Sequence, residues 1–333
     1  MVKISIIIPV YNTEQYIEEC LESIVCQNFI DFEAIFVDDD SQDASFAIIK
    51  EFAKRDRRIK LYHQNKAGVS VARNLGLKHA QGDYIVFIDS DDTITSNYLD
   101  QLYQCVTKNS PDIVLSGLIN VKQGCEENRV ALEDGLLSLQ TESDLIHFFK
   151  TPLLTPPFPK LYRRKIICDN NILFDPSISF AEDKDFNLQY FQYIRNAYAL
   201  PFCGYFYRDV ENSLSHKKYE YQYRIEHRHW QVKRKMFERL HDTTLQSKSY
   251  LVNQLFYIVY DEMSDIVYST QSIMMAMEKW RKSMQYIDFE YLRENYSLLE
   301  QPLWMKVFLK RKLFRSIFTI LKIRRIIFGE AAG

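Results

Sequence analysis

Residues 84–92 read YIVFIDSDD, an apolar and aromatic run that delivers Asp89, Ser90, Asp91 and Asp92 to the end of one strand-like segment. Carboxylates this close repel one another unless a divalent cation or strong donors sit among them, and Mg²⁺ or Mn²⁺ is the usual hard partner for oxygen ligands. Such a cation would also hold a pyrophosphate. The alternative is an acidic turn that caps the next helix, with Asp92, Thr93 or Ser96 ahead of Leu99, Leu102 and Val106.

The elements that must position this cluster follow from hydrophobic periodicity. Short β-branched or aromatic runs at 5–9, 33–37, 59–63, 84–88 and 112–116 alternate with helical faces such as Tyr16, Ile17, Cys20, Leu21 and Ile24, or Phe46, Ile49 and Phe52. A βαβα order predicts an α/β fold with a Rossmann-like, mostly parallel sheet flanked by helices, whose ligands sit at the carboxyl ends of the strands. Polar clusters fall there after three of the strands: Tyr11 and Asn12, Asp38 to Ser41, and Asp89 to Asp92. A shared site explains three such ends better than three unrelated turns.

Further along, the signal weakens over 121–155, and Pro152, Pro156, Pro157 and Pro159 predict a loop or crossover. Residues 162–167 read as helical and 174–180 as extended. After about residue 219 the chain becomes aromatic, rich in Lys and Arg and helical by pattern, with Leu255, Val259, Met263, Ile266 and Val267 on one stripe. A boundary is therefore expected near 218, separating a catalytic domain (1–218, with halves 1–120 and 121–218) from a helical C-terminal region (219–333).

The chain has 333 residues with 42 Lys and Arg against 44 Asp and Glu, a formal charge of -2 that argues neither for nucleic acid nor for an acidic partner, and no nucleic-acid partner is expected. Its six cysteines form no CxxC pair, which fits reduced thiols in a cytosolic protein and neither a zinc site nor a disulfide framework. The first apolar run lacks a cleavage pattern and reads as a strand, and no stretch reaches the ~18 apolar residues of a membrane span.

Five motifs in order resemble the inverting family 2 glycosyltransferases of the GT-A fold over roughly residues 3–215: IIIPVYNTEQYIEECLESIVCQ, FVDDDSQD, AGVSVARNLG, FIDSDD and FAEDKDF. The resemblance implies a UDP-sugar donor, with Pro9, Tyr11, Asp38 and Asp39 around the uracil and ribose. Chemistry agrees, since a uracil needs an apolar or aromatic face and an acceptor for its N3–H, and carboxylates bind ribose hydroxyls. Asp40 stands where the family has Gly, at a turn Asp can tolerate. Arg73 would face the nucleotide or pyrophosphate. Asp89 and Ser90 would lie near the ribose and metal-bound water, with Asp91, helped by Asp89, as ligand of Mn²⁺ or Mg²⁺. Asp183 matches the base that deprotonates the acceptor, with Glu182 beside it. A helix N-terminus enriched in acids is the alternative for that pair. GYFYRDVENSLSHKK resembles a late family segment that would bring Arg208, His216 and Lys217 toward the phosphates.

Residues 304–328 carry no acid and place Leu309, Leu313, Ile317, Ile320 and Leu321 on one helical face, the pattern of a helix lying on an anionic membrane surface. A packed helix or a homo-oligomer contact is the alternative. The expectation is a metal-dependent inverting transferase moving a hexose or N-acetylhexosamine to a carbohydrate acceptor. That acceptor is expected to be lipid-linked, in capsule, exopolysaccharide or wall polymer synthesis at the cytoplasmic face of the membrane. Transfer to a protein-linked glycan or teichoic acid is the nearest alternative. A sugar nucleotidyltransferase is the rival of another class, disfavoured by the lack of a glycine-rich, Lys-containing phosphate loop. A silent scaffold is the third.

Overall fold

The computed structural model describes residues 2–122, 124–151, 153–178, 181–210, 223–240, 244–270 and 272–300. His216, Lys217 and the basic stretch 304–328 lie outside the described residues. The chain divides into two units, Met1–Tyr219 and Glu220–Gly333.

In the first unit β1 (Ile4–Val10), β2 (Phe32–Asp38), β3 (Ile59–His63) and β4 (Tyr84–Phe87) alternate with α1 (Ile17–Val25), α2 (Ser45–Arg55) and α3 (Val69–His79). Then come β5 (Thr93–Ile94), α4 (Tyr98–Asn109), β6 (Ile113–Lys122), β7 (Cys125–Val130), β8 (Gly135–Ser138) and α5 (Glu142–Lys150). The unit continues with β9 (Lys160–Arg163), α6 (Arg164–Asp169), α7 (Glu182–Phe191) and β10 (Asn196–Asp209). One sheet runs in the order β3-β2-β1-β4-β9-β6-β10-β5, with β7 on β6 and β8 on β10. Strands β1 to β4 pair in parallel, as do β6 and β10, whereas β9 is antiparallel to both β4 and β6.

Every residue of β1 and β2 is buried, which is why both read as near-continuous apolar runs rather than alternating ones. Ile17, Cys20, Leu21 and Ile24 of α1 are buried at helical spacing and join the main core with Val86, Leu99, Leu102 and Tyr205. Helix α3 approaches β1 so closely that a Cβ on Gly76 would sit 2.4 Å from the Ile7 side chain. That approach sets the depth of Arg73 one turn earlier on the same helix.

Several local expectations are corrected. Residues 162–163 finish β9 and only then does α6 begin, because Tyr162 is buried in the sheet register opposite Ile85 and Ile113. Among the described residues 174–178 no strand forms. Phe174 instead stacks on Phe186 with ring centroids 4.1 Å apart, an aromatic anchor that alternation alone mimics. Strands β7 and β8 were not expected, since CEENRV is nearly all exposed and offers no apolar face. The N-cap of α4 is Asn97, so Asp92, Thr93 and Ser96 do not cap it.

The second unit contains α8 (Tyr223–Glu238), α9 (Leu245–Ser269), α10 (Ile273–Ser283) and α11 (Phe289–Glu294). Its core gathers Trp230, Leu255, Val259, Met263, Ile266 and Trp280. Among the described residues no helix is long and apolar enough to cross a membrane.

Candidate active site

The loops that leave β1 and β2 are laced together. Asn12, at φ 52°, donates its backbone N–H to Ser41 Oγ at 3.0 Å and accepts from the Gln42 N–H at 2.8 Å. Asp40 takes φ 64°, the left-handed conformation that Gly would adopt without cost. Asp39 is 5 % exposed and receives Gln64 Nε2 at 2.7 Å, the Ala67 N–H at 2.7 Å and the Gly68 N–H at 2.9 Å. Its carboxylate thus anchors the turn that launches α3, a structural task beside any ligand contact. Asp38 is buried and contacts His63 Nδ1 at 3.0 Å through Oδ2, while its Oδ1 is buried with no protein partner among the described residues. Pro9 is buried inside β1 opposite Val37, whereas Tyr11 is 40 % exposed under Lys66, whose ammonium lies 4.3 Å from the ring centroid.

Arg73 is the hub of the site. It is 3 % exposed, and its guanidinium reaches Asp89 at 2.9 Å, Asp183 at 2.7 Å and Glu182 at 3.9 Å. Phe174 backs it, with the guanidinium carbon 5.2 Å from the ring centroid. A guanidinium can serve carboxylates from two directions because its donors are fixed in a planar fork. The end of β4 and the start of α7, separated by some ninety residues of chain, therefore meet on one side chain.

The acidic turn after β4 is tied to β10. Asp92 is fully buried, accepts from Tyr205 Oη at 2.6 Å and from the Arg208 N–H at 2.8 Å, and Tyr205 Oη accepts from the Asp89 N–H at 3.3 Å. Ser90 is buried in the same turn. Arg208 pairs with Glu19 at 2.5 Å and lies over the Tyr16 ring, so its head is drawn toward α1. Burial, reinforced by Asp89, pushes the Asp91 carboxyl up to about 6, with Arg208 opposing. Among the described residues Asp91 makes no ion pair, and no group of three or more His, Cys, Asp or Glu side chains is gathered to hold a metal. That donor set fits an ion of the Mg²⁺ type, which is held by one or two carboxylates while substrate phosphates and water supply the rest. Asp91 and Asp89 would be those carboxylates, Asp89 being shared with Arg73.

At α7 burial pushes Asp183 up to about 7, with Arg73 opposing and Glu182 and Asp89 adding to the rise. Its side chain keeps 23 % exposure, so a hydroxyl can still reach it. The structure thus brings Asp89, Arg73, Glu182 and Asp183 into direct contact, with Asp91 next to them. It keeps Asp38 and Asp39 in a separate turn engaged with His63 and the 64–68 loop. Sequence reading missed Tyr205, which is hidden in an aromatic run of β10.

A mixed sheet of this order, with polar turns after β1 and β2 and an acidic turn after β4, is of the GT-A class. Residues 5–169 match the family model for Glycosyl transferase family 2. Residues 5–169 are thus a domain of that family. It is 38 % identical over 225 residues to a protein named uncharacterized glycosyltransferase EpsJ from Bacillus subtilis, covering 65 % of this chain and 64 % of EpsJ. It is 35 % identical over 190 residues to the poly(ribitol-phosphate) beta-glucosyltransferase of Bacillus spizizenii, covering 56 % of this chain and 29 % of that protein. The chain thus matches less than two thirds of the length of each relative. The fold is shared with S. aureus TarS 1–349 solved in complex with UDP-GlcNAc, at a TM-score of 0.73 and 20 % identity over 98 % of this chain and 92 % of TarS 1–349.

Proposed function

We propose that this chain is an inverting glycosyltransferase that moves glucose or N-acetylglucosamine from a UDP-sugar to a hydroxyl of a surface polymer. The polymer is a polysaccharide or a polyol-phosphate chain, as the names of the B. spizizenii and S. aureus relatives suggest. The observation that carries the reading is Arg73, which joins the acidic turn of the donor side to Asp183 within 3 Å on each hand. In this reading donor and base share one site.

In this reading Pro9, Tyr11, Asp38 and Asp39 receive the uridine, and the otherwise unpartnered Asp38 Oδ1 supplies an acceptor. Asp91 and Asp89 would hold a divalent cation, which would supply positive charge for the diphosphate. Asp183 takes the proton from the acceptor oxygen as that oxygen attacks the anomeric carbon from the face opposite the diphosphate, and configuration inverts. A carboxyl whose affinity for protons is raised by burial is better suited to that task than an ordinary Asp. Glu182 orients the acceptor, and Arg208 would have to leave Glu19 to reach the phosphates. The basic stretch 304–328 holds the enzyme at an anionic membrane surface near a lipid-linked acceptor.

The test is UDP release from UDP-glucose and UDP-GlcNAc by purified protein, with Mn²⁺, Mg²⁺ or EDTA. The reading expects slow hydrolysis of one donor that EDTA abolishes. Absence of both turnover and metal-dependent UDP binding refutes it.

A further inference from the structure

The Tyr205 hydroxyl ties β10 to the acidic turn, so whatever holds the Tyr205 ring helps decide where that turn sits. The hydroxyl donates to Asp92 Oδ2 at 2.6 Å and accepts from the Asp89 N–H at 3.3 Å. It lies on the long axis of the ring. A flip about that axis leaves it in place, whereas a swing of the whole ring about Cα–Cβ carries it away from both partners. A flat neighbour on the face of the ring blocks such a swing. Phe158 is that neighbour: it is 6 % exposed, and its ring is parallel to that of Tyr205, with an interplanar angle of 1° and centroids 4.7 Å apart.

Phe158 is itself fixed from behind, because side chains of α7 and β9 grip the backbone of the loop that carries it. Asn187 Nδ2 donates to Leu154 O at 3.0 Å, Thr155 O at 2.8 Å and Pro156 O at 2.9 Å. Tyr162 Oη donates to Pro157 O at 2.9 Å, and Lys160 Nζ donates to Phe158 O at 3.3 Å. Asn187 is fully buried on α7, the helix that opens with Glu182 and Asp183. A continuous chain of contacts therefore runs from α7 through loop 153–158 and the two stacked rings to the backbone of Asp89. We infer that Phe158 is a positioning residue for the acidic turn. It holds Tyr205 so that the Tyr205 hydroxyl keeps Asp92 and the Asp89 N–H in place, and the turn then presents Asp89 and Asp91 together. The inference rests on the reading of those two carboxylates as the ones that would hold a divalent cation beside a UDP-sugar. Acidic turn and α7 are thus joined twice, by the Arg73 guanidinium through side chains and by the Phe158 loop through the backbone.

The experiment compares wild type, Phe158→Leu, Tyr205→Phe and the double variant by two measurements. One is amide hydrogen exchange at Asp89 in the metal-free protein. The other is the gain in UDP affinity when Mn²⁺ replaces EDTA, read by calorimetry at fixed ionic strength. Each single substitution should speed Asp89 exchange by about five- to tenfold. Each should also cut the Mn²⁺ gain by about three- to tenfold, with UDP affinity in EDTA kept within about twofold of wild type. Because Phe158 acts through the Tyr205 hydroxyl, the double variant should be no worse than Tyr205→Phe, whereas two independent losses of packing would add. Should Phe158→Leu fail to fold, Phe158→Met takes its place, filling the space with a flexible chain that has no flat face. Additive losses overturn the inference, as do wild-type Asp89 exchange in the Phe158 variant, an equal loss of UDP affinity in EDTA and Mn²⁺, or a Tyr205→Phe variant with the wild-type Mn²⁺ gain. A wild type that binds no UDP in either condition, and releases none from UDP-glucose or UDP-GlcNAc, sinks the glycosyltransferase reading itself. A wild type that binds UDP equally in EDTA and Mn²⁺ sinks the metal reading of the turn, and the inference falls with either.

Discussion

Replacing Arg73 by Met tests the hub directly. The substitution removes contacts at 2.9 Å to Asp89 and 2.7 Å to Asp183 from a guanidinium that is 3 % exposed. Removing one partner of a buried ion pair costs about 3–5 kcal/mol, because the remaining charge stays in a poorly solvated place. Two features pull the figure toward the lower bound. The carboxylates keep 26 % and 23 % side-chain exposure, and a methionine still packs on Phe174, which recovers part of a cation–π contact of about 0.5–2 kcal/mol. We expect a loss of about 3 kcal/mol at pH 8. At pH 5 it should shrink to about 1 kcal/mol, since Asp183, already pushed up to about 7 by burial, is then protonated and leaves no stranded charge. Urea unfolding at the two pH values reads the difference, provided the slope with denaturant is unchanged. Arg73→Met combined with Asp89→Asn and Asp183→Asn should recover most of the loss. Equal destabilisation at pH 5 and pH 8, or a loss under about 0.5 kcal/mol at pH 8, would refute the view that Arg73 is there to hold buried carboxylates.

Asp183→Asn should lower UDP release by about a hundredfold or more while leaving the UDP dissociation constant within about threefold, measured by calorimetry. Parallel loss of UDP affinity would instead make Asp183 a donor ligand. Because burial raises Asp183 to about 7 and Asp91 to about 6, the folded protein holds protons that the unfolded chain has released above about pH 4. With more protons bound in the folded state, stability of the metal-free protein falls as pH rises through about 4 to 7, and Asp183→Asn should flatten that slope in a melting series. Tyr205→Phe deprives buried Asp92 of a donor at 2.6 Å and the Asp89 N–H of its acceptor, and should cost about 1–3 kcal/mol together with a slower UDP release. Wild-type stability and rate in that variant would show that β10 does not hold the acidic turn.

The parallel half of the sheet was legible because strands buried on both faces write continuous apolar runs, as IIIPV and AIFV do, and their polar ends fall at the carboxyl edge. What lay beyond was set by tertiary packing. Phe174 reads as part of a strand but is a ring stacked on Phe186, and Tyr162 reads as helical but is fixed by its sheet neighbours. Asp92 looks like a helix cap in sequence because its true partners, Tyr205 and the Arg208 backbone, are over a hundred residues away. The individual acidic residues of the site could be named from their motifs. That Arg73 would join two of them, and that Asp39 would be occupied by the backbone of Ala67 and Gly68, depends on how α3 seats against β1 and β2.

The charge balance of the site bears on the metal. Asp89, Glu182 and Asp183 surround Arg73, and Asp91 adjoins Asp89, so four carboxylates share one buried guanidinium. Arg208 and Lys66 are drawn off to Glu19 and Tyr11. A nucleoside diphosphate brings further negative charge, and at an effective dielectric near 20 a like pair at 4 Å opposes by about 4 kcal/mol. UDP should therefore bind at least about tenfold more weakly in EDTA than in Mn²⁺, and the effect of Asp91→Asn should change sign between the two conditions. In Mn²⁺ the variant loses a ligand and binds UDP more weakly than wild type. In EDTA it loses only a repulsive charge and binds UDP more tightly. Calorimetry at fixed ionic strength distinguishes this from direct contact, because an Asp91 that touched the nucleotide itself would weaken UDP equally with and without the cation.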